Sequence, residues 1–413
     1  MNGARASGLV MIILEHISRA GKRAVMALAA LGLAALGLAA VPAFAAPGGQ
    51  GSEFVIKARQ AILLDADTGA ILFKYNADEL VPPASMSKLM TLAVVFKAIK
   101  TGQIKLTDEF NMSEHAWRTG GGPSGTSAMM VPLNTRTTVD ELLKGVIIQS
   151  GNDAAIALGE GIAGTEENFA KLMEEEARRL GLKHSTFRNA TGLYHPEHLM
   201  SVRELAQLAR ILIRDYPEYY PTFAQREYLY RKHRFINRNP LLPLNIGADG
   251  LKTGYIKEAG YGIVGSAKLD NRRLLLAING LATQEERREE AKKLFEWGFK
   301  AFAEFKLYDS GEVVGRARVW GGDRMFIPLV GNGDVNVMLP RFPANQKLKG
   351  EIVYAGPLKA PIRKGDQVAM LRVTSSTEAT NEVPLFAADD VPAVGPMRRG
   401  LDTLLYMATR WIP

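Results

Sequence analysis

Two patterned stretches, far apart in the chain, restrict the fold more than any other feature. Residues 60–78, QAILLDADTGAILFKYNAD, alternate apolar positions on either side of the turn DADTG. Residues 260–280, GYGIVGSAKLDNRRLLLAING, repeat the pattern around Asp270 and Asn271. Period-two alternation across a short polar turn predicts a β-hairpin, so the spacing predicts two hairpins. The chain between them reads as helical. Thr138 and Glu141 form a capping-box pair before LLKGVII, and Ser201 and Glu204 do the same before LAQLARILI. After the second hairpin, ERREEAKKLFEWGFKAF carries Leu294, Phe295 and Phe302 as apolar positions fit to pack on a sheet. Hairpin, helices, hairpin, helix is an α+β order, with one antiparallel sheet assembled from both ends of a domain.

The rest of the chain divides around this unit. Residues 1–45 have a basic head (Arg5, Arg19, Lys22, Arg23), an apolar middle and the small-residue pattern AFA at 43–45, which reads as a secretory signal peptide. Removing it takes away four basic residues and one acidic, lowering the formal net charge from +8 to +5. That modest excess suits an anionic surface or polymer without naming one, and no nucleic-acid partner is expected. Residues 46–305 form the α+β domain. Across 306–390, β-type runs such as EVVGRARVW and RMFIPLV alternate with Gly, Pro and Asp turns, which predicts a small all-β domain. Residues 391–413 read as a linker and a terminal helix. The sequence has no cysteine, so disulfides and thiol chemistry are excluded, and its six histidines lack metal-ligand spacing. No cofactor and no metal are expected.

Chemistry concentrates in three short motifs. In VPPASMSKLM, Pro82 and Pro83 favour an extended approach, so a helix begins near Ala84 or Ser85. Ser85 and Lys88 then share a face, one turn apart. A serine hydroxyl is a weak nucleophile without a base, and a lysine amine can serve if burial or a neighbouring cation lowers its pKa. A helix start also supplies backbone N–H groups for an oxyanion. The bland alternative is a capping serine beside a solvated lysine. IIQSGNDAA places Ser150, Gly151 and Asn152 at the end of an apolar helical run. DGLKTGYI places Lys252, Thr253 and Gly254 just before the second hairpin. Each motif alone is weak, but their order and contexts together are specific.

With all three in place, the chain resembles the serine penicillin-binding proteins and class A β-lactamases, defined by Ser-x-x-Lys, Ser-x-Asn and Lys-Thr-Gly. It is most similar to the low-molecular-mass D-alanyl-D-alanine carboxypeptidases, from about Ala58 onward, through SGNDAAIAL, GLKTGYIKEAGYGIVGSA and LFEWGF. The resemblance implies a transpeptidase-like catalytic fold and an acyl-enzyme on Ser85, with Lys88 as general base. It further implies that Ser150 relays a proton to the leaving amine, Asn152 holds a substrate amide and Lys252 keeps the site electropositive. Thr253, Gly254, Tyr255 and Arg287 would bind substrate, with neighbouring Arg288 an alternative to Arg287. The implied substrate is a peptidoglycan pentapeptide stem ending in D-Ala-D-Ala, lying along a strand that begins at Lys252, and β-lactam antibiotics would act as covalent inhibitors. Tyr255 stands where many relatives have histidine, which bears on carboxylate preference and on the pH dependence of deacylation.

Two alternatives belong beside this reading. A β-lactamase would need a deacylating carboxylate, and no ExxLN stretch follows Ser150. A sensor or scaffold would be acylated without turnover, and endopeptidase action on cross-links is a neighbouring activity. The loop WRTGGGPSGTSAMM reads either as a rim of the site or as plain surface. In the tail, Met397, Leu401, Leu404, Leu405, Ala408 and Trp411 recur at helical spacing with Arg398, Arg399, Asp402 and Arg410 mostly off that stripe. This pattern predicts an amphipathic helix lying in a membrane surface, the alternative being a helix docked on the β domain. The expected location is outside the cytoplasm, in a periplasm or on the outer face of the cytoplasmic membrane.

Overall fold

The computed structural model describes residues 10–13, 54–342, 347–376 and 378–409. The first expected hairpin is present as β1 (Gln60–Asp65) and β2 (Ile71–Tyr75). Its turn is fixed by Asp65, whose Oδ1 accepts from the Thr68 amide at 3.0 Å and the Thr68 hydroxyl at 2.8 Å. A single 3-10 turn, Ala84–Ser87, leads into α1 (Lys88–Lys100), which is buried along most of its length. There follow α2 (Glu114–Gly120), α3 (Val139–Lys144), α4 (Asn152–Ala163), α5 (Glu166–Arg179) and α6 (Val202–Asp215). Both expected caps hold. Thr138 Oγ1 accepts from the Glu141 amide at 3.2 Å, and Ser201 Oγ from the Glu204 amide at 3.2 Å.

The second hairpin is one strand larger than its pattern suggested. Strands β3 (Ala248–Ile256), β4 (Gly260–Leu269) and β5 (Arg272–Leu281) form an antiparallel meander, and β1 pairs with β5 to give the order β2-β1-β5-β4-β3. The strand expected to begin at Lys252 begins at Ala248. Its first residues, ADG, carry turn-type composition, but pairing of Ala248 with Ala267 and Gly250 with Ser266 across a bulge holds them in the ladder. Lys252 therefore sits in mid-strand, on the edge of the sheet.

Each face of this sheet is covered. Helices α1 and α4 to α6 pack on one side with Phe96, Phe169, Leu205 and Leu212 in the core. On the other side α7 (Gln284–Ala301) lays Leu294 and Phe295 against Leu63, Leu274 and Leu276. The helix ends at Ala301, so the third expected apolar position, Phe302, is buried as the first residue of the following strand instead.

That strand, β6 (Phe302–Tyr308), pairs with β9 (Val335–Pro340); β7 (Val313–Trp320) pairs with β8 (Phe326–Val330). Strands β10 (Leu348–Val353), β11 (Gln367–Ser375) and β12 (Thr380–Ala387) form a second antiparallel set. Alternate residues such as Ile352, Leu371 and Leu385 point into a separate apolar core. The expected signal peptide lies outside the described residues except for Val10–Ile13, which pairs antiparallel with β10. Helix α8 (Pro396–Thr409) closes the described chain.

Candidate active site

The site forms where α1, α4 and β3 converge. Ser85 lies in the 3-10 turn, and the edge strand β3 passes directly over that turn: a Cβ built on Gly254 would fall 2.9 Å from the Pro83 carbonyl oxygen and 3.2 Å from Ala84 Cβ. Only glycine permits this approach. From a third side comes the loop 189–193. A Cβ on Gly192 (φ +76°) would fall 2.0 Å from the Ala84 carbonyl oxygen, so this loop too touches the serine turn.

Lys88 is fully buried at the first position of α1, and its Nζ has three partners. They are Ser85 Oγ at 2.9 Å, Asn152 Oδ1 at 2.6 Å and the Thr191 carbonyl oxygen at 2.5 Å. Two of them can only accept. A neutral amine donates two protons to those acceptors and turns its lone pair to the serine hydroxyl, which can then donate to it. Burial, followed by the field of Arg238, pushes the Lys88 pKa down to about 7, against the opposing pull of Glu166 and Asp153. Both protonation states are accessible near neutrality.

Ser150 ends the helical run in the left-handed region at φ +64°, and its buried hydroxyl has no hydrogen-bond partner among the described residues. Asn152 begins α4 and its amide donates from Nδ2 to Thr126 Oγ1 at 2.9 Å. The Asn152 backbone N–H also donates to the Ser127 carbonyl at 2.8 Å. The Gly/Ser-rich loop is thus tied to the site. Asp153 secures it further, accepting from the amides of Met129 at 2.7 Å and Val131 at 3.2 Å. Burial raises the Asp153 pKa while those amides oppose it.

Lys252 is buried with its Nζ 3.3 Å from the Thr253 carbonyl, and no carboxylate pairs with it among the described residues. Burial first, then Lys88, Arg238 and Arg287, drive its pKa well below the ordinary lysine value. Thr253 is buried beside it, whereas Tyr255 is exposed and stacks on Tyr261 with centroids 4.1 Å apart. Of the two arginines on α7, Arg287 faces inward over the Tyr261 ring at 5.6 Å, and its Nε has no partner among the described residues. Arg288 is turned to solvent with Glu285 and Glu289.

Ser85, Lys88, Ser150, Asn152, Lys252, Thr253 and Arg287 therefore belong to one region. Sequence reasoning missed Thr191, Asp153 and Arg238, and it placed Thr126 only within a loop read as rim or plain surface. Arg238 follows a short hairpin, Glu227–Tyr230 with His233–Ile236, and its backbone N–H donates to the Ile148 carbonyl at 3.3 Å, beside Ser150. Nothing in RFINRNP signals this contact.

A family profile described as D-alanyl-D-alanine carboxypeptidase matches residues 48–283, and one described as penicillin-binding protein 5, C-terminal domain, matches residues 302–393. The chain belongs to the D-alanyl-D-alanine carboxypeptidase family. It is 37% identical over 359 residues to the D-alanyl-D-alanine carboxypeptidase DacC of Escherichia coli, an alignment that covers 86% of this chain and 90% of that one. It is 34% identical over 352 residues to DacF of Bacillus subtilis, with 84% and 89% covered. Among solved structures, penicillin binding protein 5 from Haemophilus influenzae superposes with a TM-score of 0.68 at 35% identity, over 82% of this chain and 98% of that one. Penicillin-binding protein D2 from Listeria monocytogenes, in its cefotaxime-bound form, superposes at 0.55 with 30% identity, over 60% and 99%.

Proposed function

We propose that Ser85, Lys88, Ser150, Asn152 and Lys252 carry out the family's reaction, removal of the terminal D-alanine from peptidoglycan stems ending in D-Ala-D-Ala. The observation that carries this reading is the Lys88 nitrogen, held at once by Ser85 Oγ, Asn152 Oδ1 and the Thr191 carbonyl. Substrate lies along the outer edge of β3 as an added strand. Ser85 Oγ attacks the penultimate carbonyl carbon while its proton passes to the Lys88 amine. The oxyanion is stabilised by the Ser85 and Tyr255 backbone N–H groups. As the carbon–nitrogen bond breaks, Ser150 passes a proton to the leaving D-alanine amine, a role supported by its otherwise unpartnered hydroxyl. Water then adds to the ester, regenerating Ser85. Lys252, Thr253 and Arg287 bind the terminal carboxylate, Gly254 leaves room for the substrate backbone, and the lack of a carboxylate partner for Lys252 and Arg287 among the described residues supports that role.

A β-lactam enters the same cycle, but its ring amine stays tethered after the carbon–nitrogen bond opens and blocks the approach of water. Mass spectrometry of the protein with a D-Ala-D-Ala pentapeptide and with penicillin tests the scheme. Release of D-alanine and a stable penicilloyl adduct, both lost in Ser85→Ala, are expected. An adduct that persists in Ser85→Ala overturns the nucleophile.

The four-part division at residues 45, 305 and 390 belongs to the same proposal, and so does attachment to the outer face of the membrane through α8. Among the described residues no helix is long and apolar enough to cross a membrane. The polar side of α8 meets the β domain, through Thr403 Oγ1 to Trp320 Nε1 at 3.1 Å and Asp402 Oδ2 to the Gly321 amide at 3.1 Å. Met397 and Leu404, on the opposite stripe, are exposed. The polar-face contacts support docking on the β domain, and the exposed apolar residues support the proposed membrane contact. Deleting residues 397–413 is expected to move the protein from the membrane to the soluble fraction; unchanged fractionation rejects the anchor.

A further inference from the structure

The Thr191 carbonyl that accepts a hydrogen bond from Lys88 Nζ belongs to a loop held by more interactions than a surface turn requires. Asn189 Oδ1 accepts from the Gly192 amide at 2.7 Å, the Thr191 hydroxyl at 2.9 Å and the Thr191 amide at 3.1 Å. Asn189 Nδ2 donates to the Leu193 carbonyl at 3.0 Å. Thr91, one turn along α1 from Lys88, donates from Oγ1 to the Ala190 carbonyl at 2.7 Å. The remaining support is ionic. Glu166, the first residue of α5 and buried, accepts from the Ala190 amide through Oε1 at 2.9 Å. Its other oxygen, Oε2, lies 2.7 Å from Nε2 of His115 on α2. The His115 side chain is about half exposed, at 46%. A continuous path thus runs from a solvent-accessible imidazole through a buried carboxylate and two loop residues to the nitrogen of Lys88.

We infer that His115 and Glu166 are positioning residues for acylation: Glu166 holds the loop that presents the Thr191 carbonyl to Lys88, and the charge state of His115 sets how much of the Glu166 negative charge Lys88 feels. This rests on Lys88 acting as the base. Two roles combine in one carboxylate, one mechanical and one electrostatic, and they have different signatures.

The charges around each group fix the sign. Lys88 faces Asp153 and Glu166, which favour its ammonium form, and Arg238 and Lys252, which oppose it. His198 is held neutral, since burial takes its pKa down to about 3. His115 faces Glu160, Glu166 and Glu167 from α4 and α5, and on its own helix Arg118 is paired with Glu114 at 2.7 Å. Those carboxylates raise the His115 pKa although partial burial opposes them. A protonated His115 offsets Glu166 and lets Lys88 lose its proton at lower pH. A neutral His115 leaves Glu166 uncompensated and favours the ammonium. His115 therefore offsets the rise in the Lys88 pKa that Glu166 alone would cause, keeping the base active to lower pH than an uncompensated Glu166 allows.

The test is the pH profile of acylation by nitrocefin, recorded by stopped flow from about pH 5 to 9. His115→Gln removes the compensating cation, and its acid limb is expected to move up by roughly half a pH unit or more. Glu166→Gln keeps an acceptor for the Ala190 amide but removes the anion, and its limb moves down by a similar amount. His115→Lys, a cation throughout, keeps the limb at or below the wild-type position and serves as the charge-retaining rescue. Opposite shifts for the two glutamine variants establish the link. Limbs that stay in place, or shift in the same direction with only a lowered plateau, overturn it and leave a purely structural role. Lys88→Ala separates the two readings: full-rate acylation there removes the base itself, whereas a large loss with unmoved glutamine variants removes only the His115–Glu166 link. Should Glu166→Gln fail to fold, the His115 variants, altered at a half-exposed position, decide the question alone.

Discussion

The two halves of the molecule handle charge in opposite ways. Between Phe54 and Ala301 the buried residues include Lys88, Lys252, Arg287, Asp153, Glu166, Glu176 and Glu204. From Phe302 onward the buried polar residues among those described are Ser375 and Asn381, and Asn381 is satisfied by both backbone groups of Met338. Ions there sit on the surface, as in Arg372–Glu382 and Lys306–Asp309. Burying an ion costs several kcal/mol before compensation, and the β domain avoids it. The catalytic half does not avoid it, and within that half the anions and cations differ. Glu176 is met by Lys97 and Arg179, Glu204 by Ser185 and the His184 amide, and Asp153 by backbone amides. Lys88, Lys252 and Arg287 have no carboxylate partner among the described residues. Buried anions met by cations or amides belong to the scaffold, whereas the buried basic groups without a carboxylate partner cluster at the site proposed to handle an anion and a proton.

The sharpest way to break this contrast is Lys88→Met, which keeps length and apolar volume but deletes the amine. Acylation by fluorescent penicillin is expected to fall by about 10²–10⁴, as for loss of a general base, with the circular dichroism spectrum retained. Acylation at the wild-type rate would make the buried amine structural. The complementary change lies in the other half. Ile352→Ala empties part of the β-domain core and should cost about 2–4 kcal/mol, seen in urea unfolding, with kcat/KM on a soluble pentapeptide unchanged. A proportional loss of activity would show that the halves are not separable in function.

pH sharpens the contrast further. Because the folded Lys88 pKa is depressed to about 7, the neutral base is present above that value and acylation should fall about tenfold per unit below it. The linkage to stability has the matching sign. Between about 7 and the ordinary 10.5, the unfolded chain holds a proton that the folded one has lost, so this group's contribution to stability improves as pH rises through that window. Lys88→Met should abolish both dependences, which comparing its unfolding at neutral and alkaline pH would reveal.

What the sequence made legible was local. The hairpin at 60–75, the caps at Thr138 and Ser201, and the Ser85–Lys88 spacing all depend on residues within one turn or one strand pair. What it hid was contact between distant segments. The motif resemblance joined Lys88 to Asn152 across 64 positions, but nothing signalled Thr191, 103 positions away, because no local pattern marks a carbonyl partner. The start of β3 was hidden for a related reason: ADG has poor strand propensity, and only its pairing with Ser266 and Ala267 overrides it. Arg287 and Arg288 are adjacent, so helical phase alone separates them, and the Tyr261 ring decides which one turns inward.

The smallest expected effect tests the quiet side of the comparison. Arg372 on β11 and Glu382 on β12 are directly paired in register, and both side chains are about half exposed. Water screens such a pair and both side chains lose rotamer freedom in forming it, so Arg372→Ala should change stability by less than about 1 kcal/mol. Raising the salt concentration should erase even that difference between wild type and variant, since screening already removes what the substitution removes. A larger, salt-resistant loss would mean that Arg372 contributes through its packed aliphatic stem, making apolar contact rather than charge the stabilising element at the surface of the β domain.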